Sequence, residues 1–261
     1  MSDLSGRSPF APSSVFIALA VAAALAYSTV SGDILGPLLD REPIRGIPYL
    51  RSALVTVGDA IAMLALVSLA ALSSPAKIIS FAGLGAGAAR PLVWAAAVLA
   101  PSALLSYFTA PLGTFDVSDV LWLSIGSPFL EEVAYRGLAI GVLMRICGWR
   151  FLPAVLLPAA FFGAAHAAQG EAMMEIAGVV AITGLGGLLF GWLFVRWGYN
   201  LWPPILLHIG MNAIWLVFNL GENAIGGWFG NAQRLLVVAL SIGLTLAMAP
   251  KREERRQDRP T

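Results

Sequence analysis

Three short clusters in this 261-residue chain combine residues that could do chemistry. The first reads Glu131-Glu132-Val133-Ala134-Tyr135-Arg136, the second Phe162-Gly163-Ala164-Ala165-His166, and the third His208-Ile209-Gly210-Met211-Asn212. His166 and His208 are the only histidines in the chain. Residues four apart share a helix face, so Glu132 can pair with Arg136, Phe162 with His166 and His208 with Asn212. Glu131 points about 100° away from Glu132, and the Glu132–Arg136 pair does not neutralise it. Hydrolysing an amide needs a base to activate water and donors for the developing oxyanion. Glu131 has the character of that base. His166 could share or orient the water, while His208 and Asn212 could donate to the oxyanion. The same residues also admit a metal reading, in which Glu131, His166 and His208 would hold a divalent ion such as zinc.

These residues must be positioned by apolar elements. Hydrophobic residues make up 58% of the chain and charged residues 12%, against roughly 45–50% and about 25% in soluble domains. Such a composition cannot supply both a core and a charged surface in water, and the bilayer is its natural solvent. The net charge of +1 lacks the basic excess that marks nucleic-acid binding. The single cysteine, Cys147, excludes an intramolecular disulfide and reads as a small buried hydrophobe near a helix end. The apolar run from Val15 to Val30 reads as an uncleaved first span.

A spanning helix needs about 20 mostly apolar residues. Eight stretches are expected to qualify: Ser14–Leu35, Ser52–Leu72, Pro91–Ala110, Val120–Met144, Phe151–Ala168, Met174–Val195, Leu201–Leu220 and Arg234–Pro250. The fourth and seventh are interrupted by polar residues, and the fifth is short. The expected fold is therefore all-α, a polytopic transmembrane bundle of about eight helices around a central polar cavity. An N-terminal segment at 1–13 is followed by three helices at 14–110, a membrane core at 111–250 and a charged tail at 251–261. Lysine and arginine concentrate in segments that lie on one side when both termini are cytoplasmic. A multi-pass protein of a bacterial inner membrane is the expected location. Glu131 lies 14 residues before Arg145, His166 lies 16 after Arg150 and His208 lies 12 after Arg196. At about 1.5 Å per residue, all three reach roughly 18–24 Å from one membrane face.

Charged side chains at mid-membrane cost about 2.5–3.5 kcal/mol each on insertion scales, so they persist mainly where paired or functional. A lone histidine there is as readily explained by an interhelical hydrogen bond. Three clusters reaching one depth favour chemistry. Asp59, alone in the second span, reads as meeting a polar partner or marking a path for water. Gly83-Leu84-Gly85-Ala86-Gly87 lacks dinucleotide-loop spacing and reads as an interfacial turn. Gly187 and Gly191 read as close helix packing.

In order, spacing and placement on separate spans, the clusters resemble the E-E-x-x-x-R, F-x-x-x-H and H-x-x-x-N/D patterns of the CAAX-protease and bacteriocin-processing family of intramembrane proteases. The resemblance covers approximately Leu121 to Leu220. It implies about eight helices with a conical cavity and cleavage of a peptide bond near the membrane surface. It implies Glu131 as base with His166, and His208 with Asn212 at the oxyanion, supported by Glu132, Arg136 and Phe162. Both metal-dependent and metal-free mechanisms fit the family. The implied partners are a peptide or protein substrate, lipidated in some members, and the lipid bilayer. Two other classes compete. A proton-coupled transporter would also carry ionisable residues in its spans, although its polar sites usually recur in both halves. A catalytically silent scaffold would bind a partner helix in the cavity. A bis-histidine haem site at His166 and His208 would leave the glutamates unexplained.

Overall fold

The computed structural model describes Ser8, Phe10 and residues 12–221 and 223–250. The expected tail at 251–261 and most of the segment at 1–13 lie outside these residues. Every regular element is helical, and no strand occurs among the described residues. The protein is an all-α, polytopic helical bundle.

The first two helices, α1 (Pro12–Ser28) and α2 (Ser31–Leu39), replace the expected single span and meet at a 52° bend. Ser28 and Thr29 donate their hydroxyls to the carbonyls of Leu25 and Ala26. Such local side-chain bonds compete with the helical ladder at this junction. Helix α3 (Leu50–Ala71) follows, then the short α4 (Pro75–Ser80) and α5 (Ala89–Thr109). Ser74 caps α4 by accepting from the Lys77 backbone N–H, with Pro75 in the first turn.

Helix α6 runs without a break over residues 117–145 but changes its winding along the way. Asp116 and Asp119 form a reciprocal capping box at its start. Two π-helical stretches, Val120–Gly126 and Glu132–Ile140, alternate with α-helical turns. The chain continues through α7 (Phe151–Ala165), α8 (Met173–Arg196), α9 (Trp202–Val217) and α10 (Trp228–Met248). Helix α10 starts six residues before its expected boundary at Arg234, at Trp228.

All eight apolar stretches are helical, but they do not make eight full spans by length and composition. Five helices among the described residues qualify, or six when the bent α1–α2 pair is one span. Helix α9 has 16 residues, or about 24 Å at 1.5 Å per residue, short of a hydrocarbon core of about 30 Å. Only 17–33% of the residues in the most apolar window of each qualifying helix are buried in the protein. The remaining apolar surface faces outward, where only lipid accommodates it. The chain is thus an integral, multi-pass membrane protein.

The interior is organised around α6. On one side, Ile17, Val21 and Leu25 of α1, Met63 and Val67 of α3, and Phe162 of α7 pack with Leu138, Val142 and Leu143 of α6. On the other, Trp94 and Val98 of α5, Phe190 and Leu193 of α8, Leu207 of α9 and Val237 of α10 form a second apolar cluster. Cys147 is buried with the first cluster. Glycines draw α8 onto α7: a Cβ at Gly163 would lie 2.6 Å from the Val180 carbonyl oxygen, and one at Gly187 3.1 Å from Ala159 Cα. Helices α5 and α10 are joined by a buried polar clasp. Ser102 donates to Gln233 at 3.0 Å, and Gln233 donates to Ser106 at 3.0 Å.

The turn after α4 is held to the start of α9. Asn200 donates to the Gly87 carbonyl at 2.9 Å and Trp202 to the Leu84 carbonyl at 3.2 Å. Gly83 has φ +83°, and a Cβ there would overlap the Tyr199 carbonyl oxygen, so only glycine fits both the backbone and the space. At the opposite end of the bundle, Tyr49 donates to Asp119 at 2.6 Å and ties the start of α3 to α6. That bond to a carboxylate pushes the Tyr49 phenol up to about 12.

Candidate functional site

The ionisable residues of α6 stand where its winding changes. Glu131 ends an α-helical segment and Glu132 opens the second π stretch. Local π windings inside α-helices occur often at functional sites. Glu132 is fully buried and Arg136 is 1% exposed, with Arg136 Nη1 lying 3.0 Å from Glu132 Oε1. This ion pair is not a directed hydrogen bond, because neither terminal guanidinium nitrogen has a hydrogen-bond partner. The guanidinium is instead sandwiched between two aromatic faces, 4.4 Å from the Phe162 ring centroid and 5.1 Å from that of Phe190. Cation–π attraction is strongest in such desolvated settings.

Helix α9 brings His208 to the same carboxylate. Its Nδ1 lies 2.8 Å from Glu132 Oε1, and its Nε2 lies 3.9 Å from Glu131 Oε2. The ring packs at 5.1 Å from Phe190 and 6.3 Å from Phe162. Because a carboxylate only accepts, the Glu132 contact makes Nδ1 the donor. Nε2 is then the atom directed toward Glu131. A gap of 3.9 Å is too long for a direct hydrogen bond, and one water bonded to both groups can span it. The remaining oxygen of Glu131, Oε1, accepts from the Ser127 hydroxyl at 2.6 Å.

His166 is not within the helical run but at its end, capping α7 with φ −94° and ψ 0°. Its Nδ1 is 2.7 Å from the Phe162 carbonyl oxygen, which makes Nδ1 the donor and leaves Nε2 as the free ring nitrogen. Its ring packs 4.5 Å from that of Phe162. Phe162 thus orients His166 through its backbone and its ring, and meets Arg136 with the same ring.

Glu131 and His166 line one cavity of about 220 Å³ between α1, α3, α6 and α7. Ser28, Thr56, Asp59, Tyr135, Phe162 and Gln169 are also in its wall. Neither His208 nor Asn212 is among the residues lining it. Asn212 donates its amide to the Leu123 carbonyl in the first π stretch at 3.0 Å, fixing α9 to α6 rather than pointing at the carboxylates. The structure therefore brings Glu131, Glu132, Arg136, Phe162, His166 and His208 together, and sets Asn212 at their edge.

Among the described residues, no group of three or more histidine, cysteine, aspartate or glutamate side chains is placed to hold a metal ion. Nδ1 of His166 and Nδ1 of His208 are each held by another group, which leaves both Nε2 atoms available, that of His208 lying 3.9 Å from Glu131.

Sequence reasoning missed Ser127, Phe190 and the Leu123 carbonyl, while Asp59 meets the polar partner expected of it, the Ser31 hydroxyl. Ser127 was legible, since a serine four residues before a glutamate shares its helix face. The other two carry no local signal.

Residues 112–214 match the family model described as type II CAAX prenyl endopeptidase Rce1-like. Over this segment the chain is similar to that family. The segment runs through α6, α7, α8 and most of α9, and contains Glu131, Glu132, Arg136, Phe162, His166, His208 and Asn212. That description names an endopeptidase, an enzyme that hydrolyses peptide bonds. No curated protein and no solved structure matches the chain.

Proposed function

We propose that this protein is an intramembrane endopeptidase that hydrolyses a peptide bond of a membrane-associated or membrane-proximal substrate with water activated by Glu131. The observation that carries this reading is the state of the Glu131 carboxylate. One oxygen is held by Ser127 at 2.6 Å, and the other is 3.9 Å from His208 Nε2, with His166 in the same cavity wall. A base fixed through one oxygen keeps the second for water.

In this reaction, Glu131 takes a proton from water as the oxygen attacks the scissile carbonyl carbon. His166 orients the water through Nε2, its Nδ1 being held by Phe162. The carbonyl oxygen becomes an oxyanion. His208, when it carries both ring protons, gives Nδ1–H to Glu132 and keeps Nε2–H for that oxyanion. Asn212 gives one amide hydrogen to Leu123 and keeps the second for the same purpose. Collapse of the tetrahedral intermediate breaks the C–N bond, and the proton on Glu131 passes to the departing amine. Glu132 and Arg136 do not touch the substrate but hold His208 and the helix in position. No step requires a metal ion. The family description makes a prenylated C-terminal peptide the first substrate to try. Lysine and arginine placement supports both termini in the cytoplasm, and the proposed location is a bacterial inner membrane.

The test is cleavage of a panel of labelled peptides, prenylated and unprenylated, by purified protein in detergent. Glu131→Ala should lower kcat by about 10²–10⁴-fold, the range for removing a general base, and a chelator should change nothing. Equal cleavage by wild type and Glu131→Ala would sink the mechanism, and loss of activity with chelator would restore the metal reading.

A further inference from the structure

Asp59 has no part in the reaction above, although it lies in the wall of the same cavity as Glu131 and His166. It sits mid-way along α3, where the Ser31 hydroxyl donates to its Oδ2 at 2.9 Å. Its Oδ1 is buried and has no hydrogen-bond partner. An unsatisfied buried carboxylate oxygen is costly and calls for a physical reason. The charges around it sharpen the question. Asp59, Glu131 and Glu132 supply three carboxylates, and Arg136, placed against Glu132 at 3.0 Å, is the one guanidinium among them. Arg136 and, when it carries both ring protons, His208 are both placed against the two glutamates. No lysine or arginine is among the residues lining it. Hydroxyls of Ser28, Thr56 and Tyr135 and the amide of Gln169 complete the polar part of the wall.

We propose that Asp59 is a specificity residue of this cavity and that it receives a cationic group of the substrate, a lysine-like alkylammonium next to the scissile bond. This rests on the endopeptidase reading for its place in the reaction, but not for the binding itself. An ammonium ion brings three donors, enough for the unpartnered Asp59 oxygen and two neighbouring hydroxyls. It also compensates charge where the low dielectric makes compensation most effective. The volume of about 220 Å³ leaves room for one long side chain.

The test has two arms. In the first, thermal unfolding of the purified protein in a non-ionic detergent is followed with butylammonium and with butanol as the uncharged control. Butylammonium should raise the Tm of wild type and of Asp59→Glu, and leave Asp59→Asn unmoved; butanol should raise none. In the second, peptides differing only in lysine or norleucine beside the cleaved bond are compared. Asp59→Asn should lose on the order of tenfold or more in kcat/KM for the lysine peptide, the worth of one charge-assisted hydrogen bond. The loss should fall in KM, with the norleucine peptide within about twofold of wild type. Equal stabilisation of wild type and Asp59→Asn by butylammonium would overturn the proposal, as would equal stabilisation by butanol. The first arm reads out without catalysis, so failure of the protease reading leaves it intact and failure of the cation site remains visible by itself.

Discussion

Removing Arg136 tests the organisation of the site most directly, because the structure separates the charge of this residue from its shape. Its guanidinium is 1% exposed and lies 3.0 Å from the fully buried Glu132, between rings 4.4 Å and 5.1 Å away. Arg136→Met keeps most of the apolar volume and deletes the charge. Glu132 is then a buried carboxylate without a counter-ion, with Oε2 already unpartnered, a situation that costs about 3–5 kcal/mol. Replacing both partners by neutral groups is far milder. In Glu132→Gln with Arg136→Met, the glutamine carbonyl still accepts from His208 Nδ1, and no buried charge is stranded. The double variant should therefore recover most of the loss. For a chain of this size each kcal/mol moves Tm by roughly 2–4 °C, so Arg136→Met should lose about 10 °C and the double variant much less. Arg136→Lys keeps the charge but not the planar stack on Phe162 and Phe190, and should fall in between. Intrinsic fluorescence of the eight tryptophans during heating in detergent provides the assay. A double variant as unstable as Arg136→Met would refute the reasoning, since it would show that aromatic stacking, not charge compensation, is what Arg136 contributes.

Gly83→Ala should destabilise by more than about 1–3 kcal/mol, because it adds a methyl group against the Tyr199 carbonyl to backbone strain at φ +83°; an unchanged Tm would mean the turn is slack. Gln233→Leu removes both bonds of the Ser102–Gln233–Ser106 clasp, and should cost only about 1–2 kcal/mol, because interhelical bonds in membranes average well under 1 kcal/mol each and the serines can turn to their own helix. Tyr49 should titrate at about 12, a step present in the alkaline difference spectrum of wild type and absent from that of Tyr49→Phe. Its folded pKa is raised above the ordinary value of about 10. The stabilisation from the Tyr49–Asp119 bond is therefore complete below about pH 10 and lost as pH rises through 12, and the Tm difference between wild type and Tyr49→Phe should fade over that window.

The features legible in the sequence are those fixed by composition or by short spacing. A chain with 58% apolar residues has to put them into lipid, so the membrane class followed without coordinates. The Glu132–Arg136 and Phe162–His166 contacts are four-residue relations, decided by helical periodicity before any helix meets another. Packing at Gly187 was readable for the same reason, since a missing side chain permits close approach wherever the partner comes from. Span number was less legible. Hydropathy marks an apolar stretch but not its winding or its ends, so it missed the bend at Ser28 and Thr29, the π stretches of α6, the short α9 and the early start of α10.

Tertiary structure alone decided which polar atoms meet. His208 reaches Glu132 across 76 residues of sequence, Asp59 meets Ser31 across 28, and Asn212 turns to the Leu123 carbonyl across 89. Each contact depends on the rotation and depth at which two independent helices dock, and no local pattern encodes either. Asp59 looked isolated because its neighbours in the chain are apolar; the cavity it shares with Glu131 and His166 exists only once α3 lies against α6. His166 could be placed in an apolar run but not at the helix end that frees its ring. Sequence periodicity sets which residues share a face of one helix, and docking between helices sets what that face looks at.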